Sequence, residues 1–191
     1  MRQAGFAALL LLGACAADQA TAPGRATGPR ATLEDAVARL PAEAAEFRRG
    51  ATAWHERTTP GLGASTDYAG PARAAVATAS IYDRGQAAIP QALVERELEV
   101  AEQEALEVAE RRTNHRLASR ERFVQAVPGG APLACSRLES TYGRQPVQTV
   151  LCVGEAAGRF LKVQVTSPAR QVRPAEPIPY IVAVTRAVRG G

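Results

Sequence analysis

Lysine, histidine and cysteine are scarce in this sequence, and so are long apolar runs. Only Lys162 is lysine among 23 basic residues, so the net charge of +4 rests on arginine. The two histidines, His55 and His115, stand 60 residues apart without an HxxxH or HExxH pattern, so no metal-ligand motif results. The apolar run at 4–17 has 14 residues, whereas a transmembrane helix needs about 20. This run is therefore not expected to span a membrane.

The first fifteen residues have the layout of a secretory signal: a charged start, an apolar core and then small residues. The end of this segment, Leu12-Gly13-Ala14-Cys15, resembles the lipobox of bacterial lipoprotein precursors. The resemblance implies a signal peptide over 1–14, cleavage before Cys15, a diacylglycerol on the Cys15 thiol and acylation of the new amine. The alternative is an ordinary secretory signal that happens to contain a cysteine.

The lipidation also predicts where the protein resides. Two or more acyl chains hold a protein stably at a membrane surface without spanning it. Lipoproteins kept at the inner membrane often carry Asp directly after the lipidated Cys; here Ala16 follows, and Asp18 comes later, which favours the outer membrane. The expected partners are the membrane, through the lipid anchor, and an envelope protein or cell-wall polymer. Nucleic acid is not expected, because an exported protein does not meet the genome.

Behind the lipobox, the composition divides the chain into a tether and one domain. Residues 15–31 are rich in Ala, Gly, Pro and Thr and show no apolar periodicity, which predicts a lipidated Cys followed by a flexible tether. About 15 such residues have a typical reach of roughly 20–25 Å. Residues 32–191 have the size of one ordinary domain. No cofactor is expected in it.

Two cysteines remain once Cys15 is assigned to lipid. Cys135 and Cys152 are symmetric about a turn centred between Gly143 and Arg144. An antiparallel hairpin centred there places them opposite each other, within the roughly 7 Å between Cα atoms that a disulfide allows. In an oxidising compartment this arrangement predicts a structural disulfide between neighbouring strands. A redox-active pair is the alternative, although the CxxC spacing is absent.

Hydrophobic periodicity predicts an α+β fold. Thr32 begins a short helix through a capping-box pattern, and about three strands follow up to position 82. A long helix is predicted from Pro90 to Arg116, followed by four strands between 120 and 167. The pattern at 176–188 fits a helix or a strand, and the two prolines at its entry and its terminal position favour a covering helix. The expected domain is an antiparallel sheet of six or seven strands covered by one long and one or two short helices. This order distantly resembles the Mog1/PsbP-like arrangement, which implies binding or assembly roles and transfers no site residue.

The position of several side chains within these elements predicts whether they are solvated or buried. The acidic residues of the long helix are predicted to form a solvated face, with a cation site as the alternative. Lys162 is predicted to be a solvated strand residue facing away from the Leu161–Val163–Val165 stripe, with a partner contact as the alternative. Aromatic residues of the first sheet segment are predicted to lie in the core. The alternative is that they line a ligand groove. The acidic set is Glu95, Glu97, Glu99, Glu102 and Glu104; the aromatic set is Phe47, Trp54, Tyr68 and Tyr82.

The sequence contains no catalytic motif, and no catalytic residue is assigned. The best enzyme candidate is Ser65 with His55 and Asp67, although the GxSxG pattern of many serine hydrolases is missing. His115 is expected to be structural or exposed. The predicted function is therefore a lipid-anchored envelope protein with a non-catalytic binding or assembly role. The alternatives are a small periplasmic hydrolase acting on cell wall or lipid, and a carrier with an enclosed apolar cavity.

Overall fold

The computed structural model describes residues 30–71, 74–113, 117–142, 144–170 and 176–191. The helices are α1 (Leu33–Ala38), α2 (Gln91–Thr113) and α3 (Pro177–Arg189). The strands are β1 (Glu43–Ala44), β2 (Phe47–Trp54), β3 (Ala64–Ala69), β4 (Val76–Tyr82), β5 (Leu117–Gln125), β6 (Leu133–Tyr142), β7 (Gln145–Ala156) and β8 (Arg159–Pro168). The predicted α+β class is confirmed. The sheet has eight strands where six or seven were predicted, because the two-residue β1 is too short to show alternation.

The strands form one antiparallel sheet in the order β1-β2-β3-β4-β8-β7-β6-β5. The first four strands and the last four each follow one another in space, and the β4–β8 pair joins the two groups. Helix α2 connects β4, in the middle of the sheet, to β5 at its edge. Strand β4 is therefore central, as its small and branched residues indicate.

Both faces of the sheet carry a hydrophobic core. On one face, Leu161, Val163 and Val165 of β8 pack with residues of α1 and α3. On the other face, Phe160 packs with Leu151 under α2. Helix α2 therefore covers the face of β8 opposite the Leu161–Val163–Val165 stripe.

Helices α1 and α3 begin at the residues that their sequences indicate, and α3 ends at a glycine. The Thr32 hydroxyl accepts a hydrogen bond from the Asp35 N–H at 3.0 Å, which caps α1 as predicted. Helix α3 places prolines in its first turn, where their missing N–H groups cost nothing, and it ends at Gly190 with a positive φ of 85°. Its buried Tyr180 contacts Phe47, with 4.5 Å between ring centroids. The helix predicted for 176–188 is confirmed.

The predicted aromatic core is confirmed for three of its four members. Phe47, Tyr68 and Tyr82 are all at most 4% exposed. The Tyr68 hydroxyl donates to the Pro41 carbonyl at 2.9 Å, which satisfies its polar end. Trp54 is half-buried at the end of β2.

Buried carboxylates attach α2 to the sheet. The prediction of a solvated acidic face is confirmed for Glu95 and Glu99, which are exposed, and was wrong for Glu97 and Glu102. Glu102 is fully buried and accepts hydrogen bonds from Arg120 at 3.0 Å and from Arg122 at 2.6 Å, both on β5. Glu97 is 5% exposed and accepts from the Tyr82 hydroxyl at 2.7 Å and from Arg84 Nε at 2.9 Å. Charged partners on distant segments offset the desolvation of these two glutamates.

Lys162 also belongs to this attachment. Its Nζ lies 2.8 Å from Glu104 Oε2 and 5.6 Å from the centre of the Tyr82 ring. Burial alone would raise the pKa of Glu104, but the hydrogen bonds from Lys162 and Arg84 outweigh it and hold that pKa below its ordinary value. The prediction of a solvated Lys162 was therefore wrong, because α2 lies over this part of β8.

The hairpin of β6 and β7 has the predicted register. Tyr142 pairs with Gln145, which leaves two residues between the strands. Cys135 lies directly opposite Cys152, with 4.1 Å between their Cα atoms, and the two sulfurs are bonded. The geometry is consistent with the predicted structural disulfide, which lies in the core on the α3 side of the sheet.

Candidate functional site

The described chain begins at one end of the sheet, where its first two residues are held by side chains from other elements. Arg30 donates from Nη2 to Asp83 Oδ2 at 2.8 Å and from Nη1 to the Gln86 carbonyl at 3.1 Å. Arg159, at the start of β8, donates to the Ala31 carbonyl and lies 3.7 Å from the same Asp83 carboxylate. We call this group of Arg30, Ala31, Asp83 and Arg159 the tether entry.

The charges of the tether entry are partly shielded from water. Arg159 is 12% exposed and Asp83 is 20% exposed, measured on their side chains. Burial and the nearby Arg30 lower the pKa of Arg159 from its ordinary value, while Asp83 acts in the opposite direction. One carboxylate placed between two guanidiniums thus reduces their repulsion and keeps both in position.

A glycine makes room for this arrangement. Gly158 lies in the turn between β7 and β8 with a φ of +77°, which L side chains rarely adopt. A Cβ atom placed there would lie 2.8 Å from Arg30 Cγ. Arg30 therefore packs directly on the backbone of the turn that leads into Arg159.

An open cleft of about 760 Å³ lies on one side of the tether entry. Its charged lining residues are Arg30, Arg39, Arg189 and Glu155. Arg39 donates to the Val188 carbonyl at 3.2 Å, and Arg189 donates to the carbonyls of Glu155 and Ala131 at 3.0 and 2.8 Å. Three guanidiniums from three elements thus face one space. We call it the arginine cleft.

A smaller cleft of about 440 Å³ lies on the other side, and its chemistry is different. Glu56 lines it and accepts hydrogen bonds from the Gly61 N–H, at 2.9 Å, and from the Gly63 N–H, at 2.8 Å. Gly63 has a φ of +61°, and a Cβ atom there would lie 1.8 Å from the Ile81 carbonyl oxygen. The carboxylate and the two glycines thus close the loop between β2 and β3.

The structure places the three residues of the enzyme candidate in separate contacts. Ser65 Oγ lies 2.9 Å from Ser80 Oγ, and Asp67 accepts from the Thr78 hydroxyl at 3.2 Å. His55 is exposed just beyond the end of β2. Across the described residues, no hydrogen bond joins any two of Ser65, His55 and Asp67.

Other predicted residues lie beyond what can be described. Cys15 and His115 fall outside the described residues. Within the described ranges, no three His, Cys, Asp or Glu side chains converge in a way that would hold a metal ion. None of the helices in that part of the chain is both long enough and apolar enough to cross a membrane.

The arginines of the tether entry and of the cleft were missed by sequence reasoning. Arg39 follows α1, Arg159 follows a turn and Arg189 ends α3, so each occupies an ordinary local position. A basic residue in the last turn of a helix is common, since it complements the helix dipole. No local pattern distinguishes these arginines from the other arginines of a chain with a single lysine.

The fold and the site define a class: an α+β domain whose N-terminal segment is held against one end of its sheet, beside an arginine-lined cleft. No family model matches the chain, and no curated protein matches it.

Proposed function

We propose that this chain is a lipid-anchored protein of the cell envelope whose domain binds a partner or supports an envelope assembly without catalysis. The lipid would be carried by Cys15, and Ala16 at the next position favours the outer membrane. The observation that carries the proposal is the tether entry. Arg30 and Ala31 are held against the sheet fifteen positions after the lipobox cysteine.

The tether entry suits an anchored domain for a mechanical reason. A flexible linker limits how far the domain can move from the membrane, and the anchor pulls on the first residue that is held by the fold. Here Asp83 and Arg159 hold that point through hydrogen bonds on two different segments. The end of the sheet that carries β4's last residue would therefore face the membrane.

The cysteine pair supports an exported location. Cys135 and Cys152 are bonded across neighbouring strands in the core. Disulfides persist in oxidising compartments such as the periplasm and are rare in the reducing cytosol. The same compartment is expected from the lipobox at Cys15.

The contacts of the buried carboxylates favour a binding role over a catalytic one. Glu97 and Glu102 each accept hydrogen bonds from arginines, and those contacts attach α2 to the sheet. A general acid or base must instead face a substrate with its proton within reach. The hydrolase alternative has less support, because Ser65 and Asp67 contact Ser80 and Thr78 rather than a histidine.

Cell fractionation and mass analysis test the proposal. Wild type and an Ala17→Ser control should be acylated, cut before Cys15 and found with the outer membrane on a density gradient. Cys15→Ala should lose the acyl mass and the membrane association. A wild type that is cut elsewhere, without acyl mass and in the soluble fraction, would contradict the proposal and favour a freely diffusing enzyme or carrier.

A further inference from the structure

The arginine cleft concentrates positive charge beside the point where the chain from Cys15 enters the domain. Arg30, Arg39 and Arg189 line it, against the single carboxylate of Glu155. That carboxylate accepts the Gly158 N–H at 2.8 Å and so stabilises the β7–β8 turn. Asp83 pairs with Arg30 from outside the cleft, so the three arginines exceed the carboxylates of Glu155 and Asp83 by one guanidinium.

Backbone carbonyls hold two of these guanidiniums. Arg39 donates to the Val188 carbonyl, and Arg189 donates to two further carbonyls. The Val188 carbonyl orients the Arg39 guanidinium without neutralising its charge. A guanidinium has five N–H donors, and Arg39 makes one side-chain hydrogen bond to the described residues, so it is able to bind a further acceptor.

The wall of the cleft beside these arginines is less polar. Ala87, Ala88, Ile89 and Pro90 form it, just before α2 begins. A cleft of about 760 Å³ is within the usual range of sites that hold a small molecule. A lining that combines guanidiniums with apolar residues suits a ligand with an anionic group next to an apolar part.

The distance to the membrane makes one source of such a ligand available. Arg30 lies fifteen positions after Cys15, and a flexible chain of about that length spans about 20–25 Å. The arginine cleft therefore lies within reach of the lipid headgroups of the leaflet that would hold the anchor. Anionic lipids attract basic side chains held near the membrane surface.

We propose that the arginine cleft binds the phosphate headgroup of an anionic phospholipid in the leaflet that carries the Cys15 anchor. Arginine matches phosphate because its planar fork can donate two parallel hydrogen bonds. This contact orients the domain on the membrane in addition to tethering it. The inference rests on the proposed function, since it takes Cys15 as the anchor.

Vesicle sedimentation tests the inference without the anchor. The chain from position 15 onward, with Cys15→Ser, is mixed with vesicles of phosphatidylcholine alone or with an equal mixture of phosphatidylcholine and phosphatidylglycerol. We expect binding to the mixture only, and a loss of about fivefold in affinity for Arg39→Gln. Arg39→Lys should recover part of the affinity. The matched control is Arg48→Gln. Arg48 lies near the start of β2, its side chain is 82% exposed, and it does not line the arginine cleft.

Three results would overturn the inference. Equal binding to both kinds of vesicle would show that anionic headgroups are not recognised. An equal loss for Arg48→Gln and Arg39→Gln would show attraction to net charge rather than to the cleft. Displacement from vesicles by inorganic phosphate at matched ionic strength would identify free phosphate as the ligand. If Arg39→Gln does not melt cooperatively, Arg30→Gln replaces it with the same expected loss.

Failure of this inference is distinguishable from failure of the anchor. The sedimentation measurement uses a chain that cannot be acylated at position 15, so its outcome does not depend on lipidation. Acylated wild type together with vesicles that do not bind would refute the headgroup site alone. Unacylated wild type together with binding vesicles would refute the anchor and leave a soluble headgroup-binding domain.

Discussion

Glu102→Gln tests whether α2 is held on the sheet by charge or by shape. Glu102 of α2 is fully buried and contacts Arg120 and Arg122 of β5. Glutamine keeps its length and one acceptor oxygen. It removes the negative charge and points an N–H group toward a guanidinium.

The expected cost follows from three hydrogen bonds to one carboxylate. Arg120 donates one, and Arg122 donates two through Nε and Nη2 at 3.0 and 2.6 Å. Removing one partner of a buried ion pair costs about 3–5 kcal/mol. The Arg120 and Arg122 side chains are 42% and 45% exposed, so water can solvate them after the change. We therefore expect a loss of about 2–3 kcal/mol in the free energy of unfolding.

Urea denaturation of the chain with Cys15→Ser measures this loss. With a slope of about 2 kcal/mol per molar urea, the midpoint should fall by roughly 1 M. Glu95→Gln is the matched control, because it removes the same charge from an exposed position on the same helix. Its midpoint should stay within about 0.3 M of wild type.

The pH dependence provides a second readout. Burial alone would raise the pKa of Glu102, but the hydrogen bonds from Arg122 and the positive charges of Arg122 and Arg120 outweigh it and hold that pKa below its ordinary value of 4.5. The stabilisation is therefore complete above 4.5 and is lost as pH falls through the lower pKa of the folded state. The gap between wild type and Glu102→Gln should narrow between about pH 5 and pH 2. A gap that stays constant over this range would refute the ion-pair account.

Three further variants test other contacts by the same denaturation assay. Cys135→Ala with Cys152→Ala should lose about 3 kcal/mol, and reductant should then have no further effect, because the bond closes a loop with a sequence separation of 17. Tyr82→Phe should lose about 1–2 kcal/mol by removing the hydroxyl that donates to Glu97 at 2.7 Å; an unchanged midpoint would mean that Arg84 alone satisfies that carboxylate. Gly63→Ala should lose more than about 3 kcal/mol, since its Cβ would meet a backbone carbonyl at 1.8 Å; a folded variant with wild-type stability would show that the loop can shift.

Local patterns predicted the elements because their causes are local. The stripe of Val94, Leu98 and Ala101 predicts which side of α2 is buried, and all three are at most 4% exposed. The symmetry of Cys135 and Cys152 about one turn predicts the register of β6 and β7. Both patterns depend on spacing within one segment, which the linear sequence records.

The acidic residues of α2 show where this reasoning ends. Glu95 and Glu102 lie on the same helix, and helical periodicity does not predict which of the two is buried. Glu102 is buried because Arg120 and Arg122 arrive from β5 after the chain has turned back. An ion pair between segments stabilises a burial that polarity alone would forbid.

The sequence by itself determined the fold class, the order of the long elements and the hairpin that joins Cys135 to Cys152, since each follows from periodicity or symmetry along the chain. It also carries the lipobox resemblance at Cys15, on which the proposed location rests. Only the tertiary structure decided which charged side chains meet. The arginine cleft collects residues from the segment before α1, from the end of α1 and from the end of α3. No segment contains more than one of them, so their convergence is a property of the fold alone.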